Sequence, residues 1–146
     1  SKVCKGAVLY KKENKTLYIG NLYAHRDWGH AKDYVNSMWL ILNHKKPDDF
    51  VIATGKSYTV KHLINTAFKI LGINIIWKGH GINEVGIDSS SGKIAVRINE
   101  KYFRLTEVPF LKGDPTKAKK ILKWKTKISF YDLIEEMVNF ELKKYG

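Results

Sequence analysis

Cysteine, proline and arginine are scarce in this chain: it holds one cysteine, three prolines and, among its 26 basic residues, only Arg26, Arg97 and Arg104 as arginines. A lone Cys4 excludes a disulfide framework and a thiolate metal centre, and it has no evident activating base to make it a nucleophile. No apolar run approaches the roughly 18 residues of a membrane-crossing helix, and no signal-peptide pattern opens the chain, so a cytoplasmic protein without a membrane partner is expected. The five histidines fall at no helical metal-binding spacing, so no metal site is expected. Asp48-Asp49 and Glu135-Glu136 are neighbours in sequence and point in different directions, which rules them out as a facing acid and base. No serine sits in a G-x-S-x-G elbow. The residues supply binding groups and no catalytic set.

What is abundant is lysine. The formal net charge of +12 raises a basic nucleic-acid-binding module as one reading. Its lysines, however, are scattered as Lys11-Lys12, Lys45-Lys46, Lys119-Lys120 and Lys143-Lys144, at helix ends and on polar faces, without a zinc-finger, KH or aromatic RNA-binding signature. A solvated surface with a lysine bias accounts for that spread, and no nucleic-acid partner is expected. A hydrophobic fraction of 44% and four tryptophans support one compact domain spanning 1–146.

The stretch from Arg26 to Val35 organises the chain. Leu17-Tyr18-Ile19 precedes it as a short strand, and Ala31, Tyr34, Val35, Met38, Trp39 and Leu42 follow at the spacing of one helix face. Asp27 stands where an N-cap is expected, which places Arg26 at a strand-to-helix junction beside free N–H groups that favour an anion. An arginine kept in so lysine-rich a sequence points to use of its planar fork on phosphate; a salt bridge from Arg26 to Asp27 or Asp33 is the plainer alternative. Gly20-Asn21 leaves the strand either as an ordinary turn or as a close backbone approach with a donor and an acceptor for a base or sugar.

Elsewhere the pattern predicts a helix over 3–12 and a buried parallel strand at Phe50-Val51-Ile52-Ala53. Thr59 is expected to cap a second helix that exits at Gly72. Strands are expected at 73–77 and 94–98, with a loop between them over 78–92. Asp114 with Pro115 marks the start of a short helix whose inner side is Ala118, Ile121 and Leu122. Ser129 with Asp132 marks the start of the last helix, striped by Phe130, Leu133, Ile134, Met137 and Val138. Gly79-His80-Gly81 has no helix after it at the spacing of a dinucleotide loop.

Several of these segments resemble the carboxyl-terminal half of the GDP-mannose 4,6-dehydratase family. They are Leu17 to Leu22, Arg26 to Val35, Pro47 to Gly55, Tyr102-Phe103-Arg104 with Thr106-Glu107-Val108, Gly113 to Lys119, and Leu122 to Lys125. They run in the family's order across nearly the whole chain. Departures are Leu105 and Thr126, where the family favours proline, and a poor match over 78–92. The resemblance implies an α/β fold of the extended short-chain dehydrogenase/reductase kind, with late Rossmann elements and a substrate-binding portion.

It also implies what is missing. The family's glycine-rich NADP loop, its Tyr-x-x-x-Lys pair and its catalytic Thr and Glu belong upstream of Ser1, and no tyrosine here has a lysine four residues on. The complete lyase is then expected to use NADP to convert GDP-mannose to GDP-4-keto-6-deoxymannose. This stretch is expected to hold no cofactor, to bind the GDP-sugar weakly and to lack turnover. Carried over by position, Arg26 and Arg104 resemble the arginines on the diphosphate, Gly20 and Asn21 the nucleoside wall, and Glu107 a ribose- or base-side acceptor; Lys2 resembles a further anion contact. A stand-alone interaction domain derived from a dehydratase remains a third reading. Strands deprived of upstream neighbours, at Leu17–Ile19 and Phe50–Ala53, predict a homo-oligomer that tightens as salt screens the charge.

Overall fold

The structure, a computed structural model, describes residues 2–102 and 108–145. In chain order its elements are α1 (Lys2–Glu13), β1 (Leu17–Ile19), β2 (His25–Arg26), α2 (Ala31–Leu42), β3 (Tyr58–Thr59), α3 (Val60–Ile70), β4 (Ile75–Lys78), β5 (Val85–Asp88), β6 (Ile94–Ile98), α4 (Thr116–Ile121) and α5 (Phe130–Tyr145). The chain packs as two compact units. The first comprises Ser1–Ala24, Thr59–Pro109 and Ile134–Gly146, the second His25–Tyr58 and Phe110–Leu133.

The first unit is built on a four-stranded sheet of order β1-β6-β5-β4. β1 runs parallel to β6, with Leu17 opposite Val96, whereas β6, β5 and β4 are antiparallel neighbours. α1 and α3 pack on each other, and α1 also packs on β1. Val3, Cys4, Ala7, Val8 and Tyr10 form the buried side of α1, facing Ile64, Ala67 and Phe68 of α3 across the Tyr10–Phe68 ring contact at 5.7 Å. Burying a side chain such as Phe68 contributes roughly 1.5–3 kcal/mol. As the sequence predicts, Thr59 caps α3 by accepting from the His62 N–H at 3.0 Å, and Gly72 exits at φ +77°.

The span 78–92 is not all loop: β5 lies inside it. Its alternation is hidden by Gly86, which faces Val96 and Ile75 so closely that a Cβ has no room. A β-bulge follows between Gly86 and Ile87.

In the second unit, the Ser129–Asp132 box at the head of α5 is present, with Asp132 N–H donating to Ser129 Oγ at 3.1 Å and Ser129 N–H to the Asp132 carboxylate at 3.2 Å. Ile134 and Val138 of the expected stripe, on the part of α5 that belongs to the first unit, are buried. Four expectations change here. Asp27 is not the N-cap of α2; that place belongs to His30, whose Nδ1 accepts from Lys32 N–H at 3.1 Å. α4 begins at Thr116 with Pro115 as its cap, although Asp114 still accepts from Thr116 N–H at 3.0 Å, and Ile121 lies half exposed. Phe50–Ala53 pairs with no strand among the described residues. Its Phe50 and Ile52 instead pack on a small core of Ala118, Leu122 and Trp124, and Ala53 lies against Gly113.

The fourth change concerns α2. Its buried positions are Asp33 and Ser37, and Tyr34, Leu40 and Ile41 join them against Trp124. Val35, Met38, Trp39 and Leu42 of the expected inner stripe face outward. The reason is a set of backbone groups elsewhere that need Asp33. Its carboxylate accepts from Lys127 N–H and Ile128 N–H, both at 3.0 Å, and its carbonyl accepts from Trp124 Nε1 at 2.9 Å.

Asp88 closes the turn after β5. Burial alone would raise its pKa, but hydrogen bonds from Ser90 Oγ and N–H, Ser91 Oγ and Tyr10 Oη prevail and bring it to about 2 from the ordinary 3.8. A lowered folded-state pKa contributes stability that is complete above the unfolded value and is lost as pH falls through the folded one. The expected outcome is a fall in the thermal midpoint between pH 3.8 and about 2 that Asp88→Asn flattens; thermal melts of both proteins across that range check it.

Candidate functional site

Gly20 and Asn21 sit at the carboxyl end of β1, in the first unit, and the fold fixes them there from two directions. Leu22 and Ala24 bury their side chains, and their carbonyls accept from the first N–H groups of α3, Lys61 to Leu22 at 2.8 Å and Val60 to Ala24 at 3.1 Å. On the other side Asn99 N–H donates to the Ile19 carbonyl at 2.8 Å. Asn21 turns the chain by accepting from Tyr23 N–H at 2.9 Å. Gly20 lies against the Tyr102 carbonyl, where a Cβ would overlap backbone, so this position requires glycine for close approach.

That approach brings Tyr102 to a cavity of about 300 Å³ walled by α1 and β1, with Lys2, Lys5, Lys15, Thr16, Tyr18 and Tyr102 on its lining. Lys2 Nζ stands 3.1 Å above the Tyr102 ring centroid. Two tyrosines and three lysines line this concavity, with Lys15 Nζ paired to the Glu13 carboxylate at 2.5 Å, and such a lining suits a planar base with anionic groups attached. Lys5, Lys15 and Tyr18 escaped the sequence reading, because separate segments supply them and each alone looks like solvated surface.

In the same unit, a buried carboxylate ties α3 to the turn at Tyr23. Glu84 accepts from Lys61 Nζ at 2.6 Å and Tyr23 Oη at 2.8 Å. Burial would raise its pKa, and the Lys61 and Tyr23 hydrogen bonds outweigh that and hold it below the usual carboxylate range.

Arg26 belongs to the second unit. Its Nη1 donates to the His25 carbonyl at 2.7 Å, and that carbonyl also accepts from Leu111 N–H at 3.1 Å. The His25 ring packs on Phe110 at 5.2 Å, leaving His25 Nδ1 buried without a hydrogen-bond partner. Asp27 reaches across to the turn after Ala53, accepting from Thr54 Oγ1 at 2.6 Å, Thr54 N–H at 3.1 Å and Gly55 N–H at 2.9 Å. This unit has its own polar cavity of about 470 Å³, lined by Gly55, Lys112, Asp114, Thr116 and Lys119. Arg104 and Glu107 lie outside the described residues, so the structure places neither. Among the described residues no group of three His, Cys, Asp or Glu side chains is arranged to hold a metal.

A family model described as GDP-mannose 4,6 dehydratase matches residues 1–137. The GDP-mannose 4,6 dehydratase of Dictyostelium discoideum is 50% identical over 125 residues, covering 86% of this chain and 35% of that protein. The human GDP-mannose 4,6 dehydratase is 46% identical over 137 residues, covering 94% and 37%. The chain thus spans about a third of the length of these relatives. Among solved structures, RMD from Pseudomonas aeruginosa complexed with NADPH superposes with a TM-score of 0.73 over 97% of this chain and 41% of that one, at 12% identity, a likeness of Rossmann-type fold.

The Gly20 contact carries a direct test. Gly20→Ala is expected to push Tyr102 away from β1, lowering the thermal midpoint by a few degrees and reducing any ligand affinity of the adjoining cavity at least tenfold. Calorimetric melting and ligand titration of the variant beside the parent chain check both.

Proposed function

The chain belongs to the GDP-mannose 4,6 dehydratase family, and from that membership we propose that it is the GDP-sugar-binding part of such an enzyme. The complete protein in this reading is a lyase that converts GDP-mannose to GDP-4-keto-6-deoxymannose with NADP. The observation that carries the binding role is the cationic, tyrosine-lined cavity beside Gly20. Its Tyr18 and Tyr102 offer rings to a purine, and Lys2 and Lys5 offer charge to phosphates, while Lys15 is paired with Glu13. Asn21 and Gly20, which do not line that cavity, take the nucleoside-wall role from the resemblance. Arg26 keeps the diphosphate role, for which its fork is suited. Arg104 on the diphosphate and Glu107 on the ribose or base rest on the resemblance alone.

The Gly79-His80-Gly81 segment does not fit the pyrophosphate of a nicotinamide cofactor. It leads into a single three-residue turn, Gly81–Asn83, and then into β5, so no α-helix amino terminus stands behind those glycines to meet a pyrophosphate. In this reading hydride transfer needs groups from elsewhere: the chain binds and orients the nucleotide-sugar, and residues that it lacks hold the cofactor and move the protons.

The expected result is measurable GDP and GDP-mannose binding by the 146-residue chain with no turnover of GDP-mannose on adding NADP. Arg26→Ala is expected to weaken GDP binding about tenfold or more, in line with roughly 1.5–3 kcal/mol for a hydrogen bond to a charged group. Isothermal titration with GDP, GDP-mannose and a random oligonucleotide at two salt concentrations checks it. Tight oligonucleotide binding with a steep salt slope and no response to GDP would replace this reading with a nucleic-acid-binding one.

A further inference from the structure

The larger cavity, in the second unit, has no part in the nucleotide-binding reading. At about 470 Å³ it falls within the range of roughly 300–1,000 Å³ that small-molecule sites occupy. Two glycines bring its walls together. Gly113 lies against Ala53, where a Cβ would overlap the alanine methyl, and Gly55 turns at φ +78° with the Pro115 ring 3.3 Å from the place of a Cβ. Three hydrogen bonds from Thr54 and Gly55 to the Asp27 carboxylate fasten that turn without help from a ligand. The concavity is built in advance.

Its rim carries the chemistry. Hydrogen bonds from Thr116 Oγ1 and N–H hold the Asp114 carboxyl below its ordinary range, and the nearby Lys119 and Lys112 charges add to that pull. Lys119 Nζ reaches the Gly55 side of the cavity, 3.9 Å from where a Gly55 Cβ would stand. Among the described residues neither of these ammonium groups is in an ion pair, whereas Lys117, close by on α4, is joined to Asp48 at 2.5 Å. Two unpaired cations and one carboxylate give the lining a net positive charge.

The same groups define what fits. The Thr116 hydroxyl gives its hydrogen to Asp114 Oδ1, so the Thr116 oxygen and Asp114 Oδ2 are left to accept from a ligand. Among the described residues no aromatic ring lines the cavity, and a nucleobase has no face to stack on. An anionic group on the two lysines, with hydroxyl donors turned to Asp114 and Thr116, satisfies all four side chains at once.

We propose that this cavity is a second ligand site that takes a sugar phosphate, its phosphate held by Lys112 and Lys119 and its hydroxyls by Asp114 and Thr116. The site shares no lining residue with the cavity beside Gly20 and does not depend on the nucleotide reading.

Glucose 6-phosphate is the probe, titrated calorimetrically into the 146-residue chain beside inorganic phosphate, glucose and GDP. Glucose 6-phosphate is expected to bind, inorganic phosphate to bind about tenfold more weakly, and glucose to give no binding heat. Lys112→Gln and Lys119→Gln should each weaken the sugar phosphate about tenfold. Both side chains are exposed, so the thermal midpoint should hold. Asp114→Asn, which puts an amide donor in place of an acceptor, should abolish the preference for glucose 6-phosphate over inorganic phosphate. Lys2→Gln, in the cavity beside Gly20, should weaken GDP and leave glucose 6-phosphate unchanged, which separates failure of this site from failure of the nucleotide reading. Absence of glucose 6-phosphate binding, equal affinity for inorganic phosphate, lysine variants that change nothing, or displacement of the sugar phosphate by GDP would each overturn the proposal.

Discussion

One buried carboxylate holds the second unit together. Asp33, 5% exposed on α2, accepts from two consecutive backbone N–H groups at Lys127 and Ile128, and its own carbonyl accepts from the Trp124 indole. Those donors lie in an irregular stretch between α4 and α5 with no ladder of its own, so Asp33 does for them what a neighbouring strand would do. Leaving such groups unpaired costs about 1–3 kcal/mol each. Trp124 thereby stays seated on Tyr34, at a ring separation of 6.3 Å, and with Ala118 and Leu122 gives Phe50 and Ile52 a surface to pack on. Asp27 repeats the device at the turn of Thr54 and Gly55. Two carboxylates flanking one helix start thus replace much of the regular secondary structure that a larger unit would have.

The first unit is organised differently. Its backbone polar groups are met by the β1-β6-β5-β4 ladder and by helix caps, and its side chains build a conventional core around Phe68, Ile64 and Val8. Glycines enter where that regularity has to be broken. Gly86 lets β5 lie close under Val96, and Gly20 lets Tyr102 close over the end of β1. The second of these contacts shapes the cavity, so the same absence of a side chain serves both the strand's end and the site. The lysines around it contribute little to stability at their exposed positions, but they set the sign of the potential that a ligand meets.

Under the proposed reading, the chain contributes recognition to a nucleotide-sugar dehydratase, and the redox chemistry comes from other residues. Recognition of this kind is separable because binding groups act singly on different parts of the ligand. Hydride transfer and proton removal, by contrast, need a cofactor and a base held together at one carbon.

Local sequence patterns determined where the helices lie and, for α3 and α5, where they start. The pattern around Thr59 and Gly72, and the Ser129–Asp132 box, act within a few residues, and the structure has them where the pattern put them. The α/β class and the family were legible for a related reason: side-chain order along the chain is what a resemblance compares. Long-range partners were not legible. Val35, Met38, Trp39 and Leu42 satisfied helical periodicity as well as the true inner face did, and periodicity alone cannot say which face meets the core. The buried face was chosen by Asp33, whose donors are 94 and 95 residues away, and Asp27 left its expected capping place for groups 27 and 28 residues away. The strand expected at Phe50–Ala53 had the composition but no strand to pair with among the described residues, and β5 had the neighbour but a composition broken by Gly86. Tertiary structure decided these points, because a hydrogen bond or a packed face is a property of two segments and the sequence of either one specifies only half of it.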